Sequence, residues 1–232
     1  MSDKKAEKRR IREEKQAAAK RKNQLGSIFI KVGAAVIVVL AIVVFYEGLF
    51  GGPPSLPPQE IGEADHVRGN SEAPVTLTVY ADFECPACLT EFQVMARAWP
   101  AISQQARLVF RHYPLDIHRH AFLAARYAEA AARQGRFWEM HDALYANQDL
   151  WAAIDDATAF FDGLATDIGL DTAQLKLDVE LDEVRDKILS DQRGGTRAGV
   201  RGTPSLFVNG TLVNTPRNAT ELVGVVAAAA GS

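Results

Sequence analysis

The stretch Val75-Thr-Leu-Thr-Val-Tyr-Ala-Asp-Phe-Glu-Cys-Pro-Ala-Cys88 decides how this chain folds. Its first six residues alternate and are rich in β-branched side chains, which reads as a strand. The strand runs through Ala81-Asp82-Phe83-Glu84 into Cys85-Pro86-Ala87-Cys88. Apolar residues then recur at helical spacing (Leu89, Phe92, Ala96) as far as Trp99, before Pro100. Both cysteines therefore lie at a strand-to-helix junction, at the start of the helix. A second strand, Arg107 to Tyr113, is closed by Pro114. A strand, a helix and a strand form a βαβ unit with parallel pairing.

Downstream, residues 117 to 191 read as helical throughout. Four apolar faces recur with a period near 3.6: Phe122/Ala125/Ala128/Ala132, Phe137/His141/Leu144, Phe161/Leu164/Ile168 and Leu181/Val184/Ile188. Gly135 and Gly169 end the first and third, and Gly194-Gly195 the last. Next comes Thr203-Pro204-Ser-Leu-Phe-Val208, then Asn209-Gly210 and Thr211-Leu-Val213. Asn-Gly between two β-rich runs signals a hairpin. Residues 219 to 229 read as a closing helix. The class is α/β: a mixed sheet in the order βαβ…ββα, with an all-helical insertion at about 117–191.

The chain has only two cysteines among 232 residues. Two cannot staple a scaffold, so the pair is read as chemistry. At a helix start the first thiol meets unpaired backbone N–H groups and the positive end of the helix dipole, which favour thiolate. The second, one turn on, can close a disulfide with it or resolve a mixed disulfide. Pro86 suits the first helical turn, where its missing N–H costs nothing. Three other readings compete. Half a zinc site would need His118 and His120, whose spacing is unusual for ligands. A structural disulfide would close too small a loop to constrain much. Two inert buried thiols would suit a reducing compartment.

Residues 1–24 carry ten Lys/Arg against four Asp/Glu, a net +6 that leaves −9 on the remainder. Ile28 to Tyr46 is an apolar run of 19 residues interrupted only by Lys31, roughly 28 Å as a helix and enough to cross a bilayer. A buried core helix or a cleaved signal peptide are the alternatives; the run has no polar face, and bulky Phe45-Tyr46 is a poor cleavage site. The expected organisation is a basic cytoplasmic tail (1–24), a transmembrane signal anchor (25–46), a Gly/Pro-rich linker (47–70) and a catalytic domain (71–232). The positive-inside bias puts that domain on the periplasmic or extracellular side of a bacterial cell membrane, with the bilayer held through residues 28–46. The tail charges are accounted for by topology, so no nucleic-acid partner is expected.

Three segments resemble the DsbA-like thioredoxin-fold oxidoreductases: Val75 to Cys88, Leu108-Val-Phe-Arg-His-Tyr-Pro-Leu-Asp-Ile-His118, and Arg197-Ala-Gly-Val-Arg-Gly-Thr-Pro-Ser-Leu-Phe-Val-Asn-Gly210. The resemblance implies a thioredoxin-like fold in which Cys85 is the exposed nucleophile and Cys88 the buried resolving thiol. Pro204 would be a cis-proline against the disulfide, with Thr203 offering backbone to a bound peptide. Glu84, Pro86 and Ala87 would be the active-site neighbours. No metal or cofactor beyond the Cys85–Cys88 disulfide is implied. Members commonly carry a buried acid where this chain has Val79, and some strong oxidants have His where it has Ala87. That leaves Glu84 or water to move the proton of Cys88, and no buried carboxylate is expected beside the pair. The reading is a membrane-anchored disulfide donor to exported proteins, reset by a membrane redox partner. A reductase or isomerase fed through the membrane, or a non-catalytic thioredoxin-fold binding module, are the alternatives.

Overall fold

The computed structural model describes residues 36–42 and 57–231. Residues 36–42 are helical. The rest of the expected anchor, the basic tail and residues 47–56 of the expected linker lie outside the described residues. Among the described residues no helix is long and apolar enough to cross a membrane.

The unit from Ser55 onward is built on five strands: β1 (His66–Gly69), β2 (Val75–Ala81), β3 (Ala106–His112), β4 (Ser205–Val208) and β5 (Thr211–Val213). Their order across the sheet is β1-β3-β2-β4-β5. β2 pairs in parallel with β3, from Val75 opposite Ala106 to Ala81 opposite His112, as the βαβ reading expects. Its other edge pairs antiparallel with β4, with Tyr80 opposite Ser205. That register brings the start of β4, and Pro204 just before it, to the end of β2 where the chain turns into Cys85.

The helices are α1 (Pro86–Ile102), α2 (Ala121–Arg133), α3 (Phe137–Ala146), α4 (Gln148–Trp151), α5 (Thr158–Asp167), α6 (Thr172–Val179), α7 (Asp182–Arg197) and α8 (Ala219–Ala230). Helices α2 to α7 form the expected insertion. α1 packs on α8, and α7 packs on both β3 and α2. The β4–β5 turn has positive φ at Asn209 (47°) and Gly210 (81°), the backbone that Asn-Gly hairpins require.

Three expectations are corrected. His66–Gly69, assigned to the linker, is an edge strand paired antiparallel with β3. Its Val67 and Arg68 pair with Val109 and Leu108, and Trp138 donates its indole N–H to the Val67 carbonyl. Helix α1 does not stop before Pro100 but continues to Ile102. Proline there removes only one bond near the helix end, while Ile102 is buried in the core and Ser103 N–H closes onto the Trp99 carbonyl. Gly194-Gly195 does not end a helix; α7 runs through it to Arg197. The glycines serve close approach: a Cβ at Gly195 would lie 2.8 Å from Tyr80 Cδ1 and 2.9 Å from Tyr113 Cδ2. Tyr80 is thereby fully covered, and β2 is buried on both faces.

Candidate active site

Cys85 is the N-cap residue of α1, with extended backbone (φ −74°, ψ 121°), and Pro86 opens the first turn. The Cys85 carbonyl accepts from the N–H of Cys88 (3.0 Å) and of Leu89 (3.2 Å). The Thr203–Pro204 peptide bond is cis, and the Cys85 thiol donates to the Thr203 carbonyl at 3.6 Å. The five expected site residues around the turn and the two from the distant loop therefore meet in one place. One expectation needs correction: Cys85 is not broadly exposed but only 7% accessible, because the Thr203–Pro204 loop lies across it. Cys88 is completely buried.

The two thiols differ sharply in acidity. Cys85 is lowered to about 5, first by hydrogen bonding from the Cys88 thiol, against the cost of burial, and further by the Thr203 side chain and the N–H groups of Cys88 and Ala87. The N–H contributions are the helix-start effect expected from the sequence. Cys88 is pushed far the other way, by burial first and then by the neighbouring Cys85. One thiol is thus an anion near neutral pH and its partner is a protonated donor. That asymmetry is what an attacking and leaving thiolate needs beside a resolving thiol.

The turn before Cys85 is held by groups that sequence reading missed. Asp82 is buried, and its carboxylate accepts from the N–H of Glu84 (2.7 Å), the N–H of Leu115 (2.8 Å) and His118 Nδ1 (2.7 Å). Its backbone N–H points at Cys88 Sγ (3.5 Å). Gln148, buried on α4, donates to the carbonyls of Phe83 (2.6 Å) and Cys85 (3.1 Å). Glu84 accepts from the His120 N–H, which ties the turn to the start of the insertion. His118 is raised above its usual value. Burial opposes the shift, and the Asp82 carboxylate outweighs it, with the Cys85 and Glu84 charges adding to it. An imidazole more basic than a free one therefore stands on Asp82 near Cys85, although position 87 is Ala. Among the described residues, the cysteines, His118 and His120 are not gathered into a metal-ligand cluster; His118 is bound to Asp82, and His120 Nε2 donates to the Ile154 carbonyl (2.8 Å).

The expectation that no buried carboxylate stands beside the pair is also overturned. Asp82 is one. Glu91 is another, three residues beyond Cys88 on the same buried face of α1. It has no hydrogen-bond partner, and burial alone pushes it up to about 7. It borders an apolar cavity of about 180 Å³ shared with Val79, Phe92, Met95, Trp99 and Tyr145. Two open hollows are bordered by residues of the site and its supports, Pro204 in one and His118 in the other. One, of about 610 Å³, is bordered by Pro204, Leu212 and Thr215, and the other, of about 330 Å³, by Leu115, His118 and Phe122.

A redox-capable dithiol at the end of a central parallel strand, facing a cis-proline loop, defines a thioredoxin-like domain with a helical insertion. The family model described as "Thioredoxin" matches residues 62–228, and the chain belongs to that family. Among solved structures it resembles a thioredoxin-like oxidoreductase from Silicibacter pomeroyi (29% identity, TM-score 0.63, 74% of this chain and 95% of that one). It also superposes on oxidised BdbD from Bacillus subtilis (17%, TM-score 0.66, 78% and 100%) and on the catalytic domain of Proteus mirabilis ScsC (15%, TM-score 0.63, 75% and 93%). At such identities these last two show the fold alone. Curated relatives include Na(+)/H(+) antiporter NhaA 3 of Salinispora tropica, 40% identical over 187 residues, which span 73% of this chain and 25% of that protein. Na(+)/H(+) antiporter NhaA 1 of Salinispora arenicola is 41% identical over 165 residues, or 64% and 22%. The chain spans about a quarter of the length of these relatives, and the similarity is confined to that quarter.

Proposed function

We propose that this chain is a thiol:disulfide oxidoreductase that donates the Cys85–Cys88 disulfide to exported proteins, from a domain tethered to a bacterial membrane by residues 28–46. The observation that carries the reading is the split between the thiols: Cys85 at about 5 and Cys88 far above the usual range, under a cis Thr203–Pro204 loop. A substrate thiolate attacks Cys85 Sγ, the intramolecular S–S bond breaks, and Cys88 leaves and takes up a proton. Glu91, one helical turn away and titrating near 7, is suited to supply that proton. A second substrate thiol, as its thiolate, then attacks the substrate sulfur of the mixed disulfide. Cys85 departs as a stable thiolate, and two electrons have passed from substrate to enzyme. A low-pKa leaving group favours this direction. A membrane redox partner would restore the disulfide.

The test is single turnover of the oxidised protein with a reduced two-cysteine peptide. Fast loss of peptide thiols is expected in the wild type. Given the peptide in its disulfide form instead, reduced Cys88→Ser should be trapped as a mixed disulfide through Cys85, with one peptide thiol released, while Cys85→Ser should trap none. Transfer only from enzyme dithiol to substrate disulfide would favour a reductase. No transfer either way would favour a binding module.

A further inference from the structure

On the insertion side of the sheet, well separated in sequence from the cysteines, three potential ligand atoms converge from three elements: His66 Nε2 on β1, His112 Nε2 on β3 and a carboxylate oxygen of Glu129 on α2. We propose that His66, His112 and Glu129 form a binding site for a borderline divalent metal ion of the zinc type. The site goes beyond the thiol chemistry and does not depend on it.

The geometry carries the assignment. The three ligand atoms all lie within 4.8 Å of one another. Glu129 Oε1 is 2.7 Å from His66 Nε2 and 2.8 Å from His112 Nε2. Ligands at about 2.0–2.2 Å from a tetrahedral ion stand roughly 3.3–3.5 Å apart, so closing on a metal asks for shifts on the order of 1 Å or less. The rings are already aimed. His66 is stacked on Phe137 with centroids 3.5 Å apart and planes 7° from parallel, and His112 stands edge-on to Phe110 at 5.2 Å. Two imidazoles and one carboxylate are a donor set that suits zinc over calcium or magnesium, which take all-oxygen shells.

The surroundings supply entry and charge. His66 and Glu129 border an open cavity of about 550 Å³ that can hold the fourth ligand, a water. Its walls carry four carboxylates (Glu63, Asp65, Glu129, Glu183) and two cations (Arg133, Lys187), so a cation is drawn in. Asp65 is paired with Arg111 at 2.9 Å. Of the two cations, Arg133 is held by Asp178 at 3.1 Å, and Lys187 is the one beside Glu129 that opposes an ion. Its ammonium is held 2.6 Å from Asp191 and stays 4.0 Å from Glu129 Oε1, outside hydrogen-bond range. A bound ion would pin edge strand β1 to β3 and to the insertion.

Cobalt(II) is the probe, because its visible bands report low-coordinate nitrogen–oxygen sites. The full-length protein carries Cys85→Ser and Cys88→Ser, which removes the only thiols. One equivalent of cobalt is expected to develop these bands, and zinc to erase them. Glu129→Gln, which keeps the side chain's shape, and His66→Ala should each weaken binding more than about 100-fold, beyond the loss typical of outer-shell changes. Lys187→Met should tighten it by about threefold or more by removing the opposing charge. Zinc should also raise the unfolding midpoint of the thiol-free protein and leave that of the Glu129→Gln variant unmoved. Absence of cobalt bands in the thiol-free protein would overturn the proposal. So would bands that survive in both Glu129→Gln and His66→Ala when circular dichroism shows both variants folded.

Discussion

Replacing Glu91 by Met turns an unpartnered buried acid into a probe of folding energetics. In the folded chain Glu91 is only 8% accessible, its carboxyl makes no hydrogen bond, and burial pushes it up to about 7 against a reference of 4.5. Protons therefore bind the folded chain more tightly than the unfolded one at this site. The native state loses stability as pH rises from about 4.5 to about 7, and the loss levels off above that. Integrated over both forms, the wild type should lose ~2.5 kcal/mol more than Glu91→Met between about pH 5 and about pH 8. Met suits the space because its neighbours are Phe92, Met95 and Trp99, and an unbranched thioether adapts to irregular gaps. Any constant packing difference cancels in the comparison across pH. Urea unfolding of both proteins at the two pH values, with the cysteines held reduced, measures the quantity directly. A wild type-to-variant difference that stays constant within about 0.5 kcal/mol would refute the reasoning, since it would mean that Glu91 ionises in the fold as readily as in water.

Cys85 at about 5 should be about 99% thiolate at neutral pH, against roughly 3% for an ordinary thiol of pKa ~8.5. Ultraviolet absorbance against pH in the reduced wild type checks this, because Cys88 stays protonated where Cys85 titrates, and equal alkylation of the two wild-type thiols at about pH 6 would contradict it. His118→Gln removes the imidazole bound to Asp82, whose shift favours its charged form. It should raise the Cys85 titration midpoint and slow alkylation near pH 5 about two- to fivefold, whereas an unchanged midpoint would deny His118 any electrostatic role. Gly195→Ala would place a methyl 2.8 Å from the Tyr80 ring. It should cost about 1–3 kcal/mol where alanine in a helix ordinarily gains about 1, and a stabilised variant in urea unfolding would show that the rings can yield.

What was legible in the sequence was whatever is written locally. Val75 to Cys88 announces a strand, a turn and a helix start in fourteen consecutive residues, and Asn209-Gly210 announces its own turn. Strand β1 was illegible because His66-Val-Arg-Gly69 is four residues long and owes its place to β3. The continuation past Pro100 depended on a core pocket for Ile102. Gly194-Gly195 looked like a helix stop because its reason, the rings of Tyr80 and Tyr113, lies far away in sequence. The same distance hid the site's supports. Asp82 meets Leu115 and His118 across 33 and 36 residues, and Gln148 meets Cys85 across 63. Glu91 could have been noticed, because it falls three residues after Cys88 on the helix's apolar face.

Equilibration of the Cys85–Cys88 pair with glutathione buffers at neutral pH, read by alkylation and mass, tests the central claim most directly. A nucleophile thiol at about 5 stabilises the reduced form and makes the pair oxidising, so a reduction potential in the range of about −120 to −180 mV is expected, as for disulfide donors and isomerases. A potential near the roughly −270 mV of thioredoxin, or below it, would contradict the donor reading and make the chain a reductant.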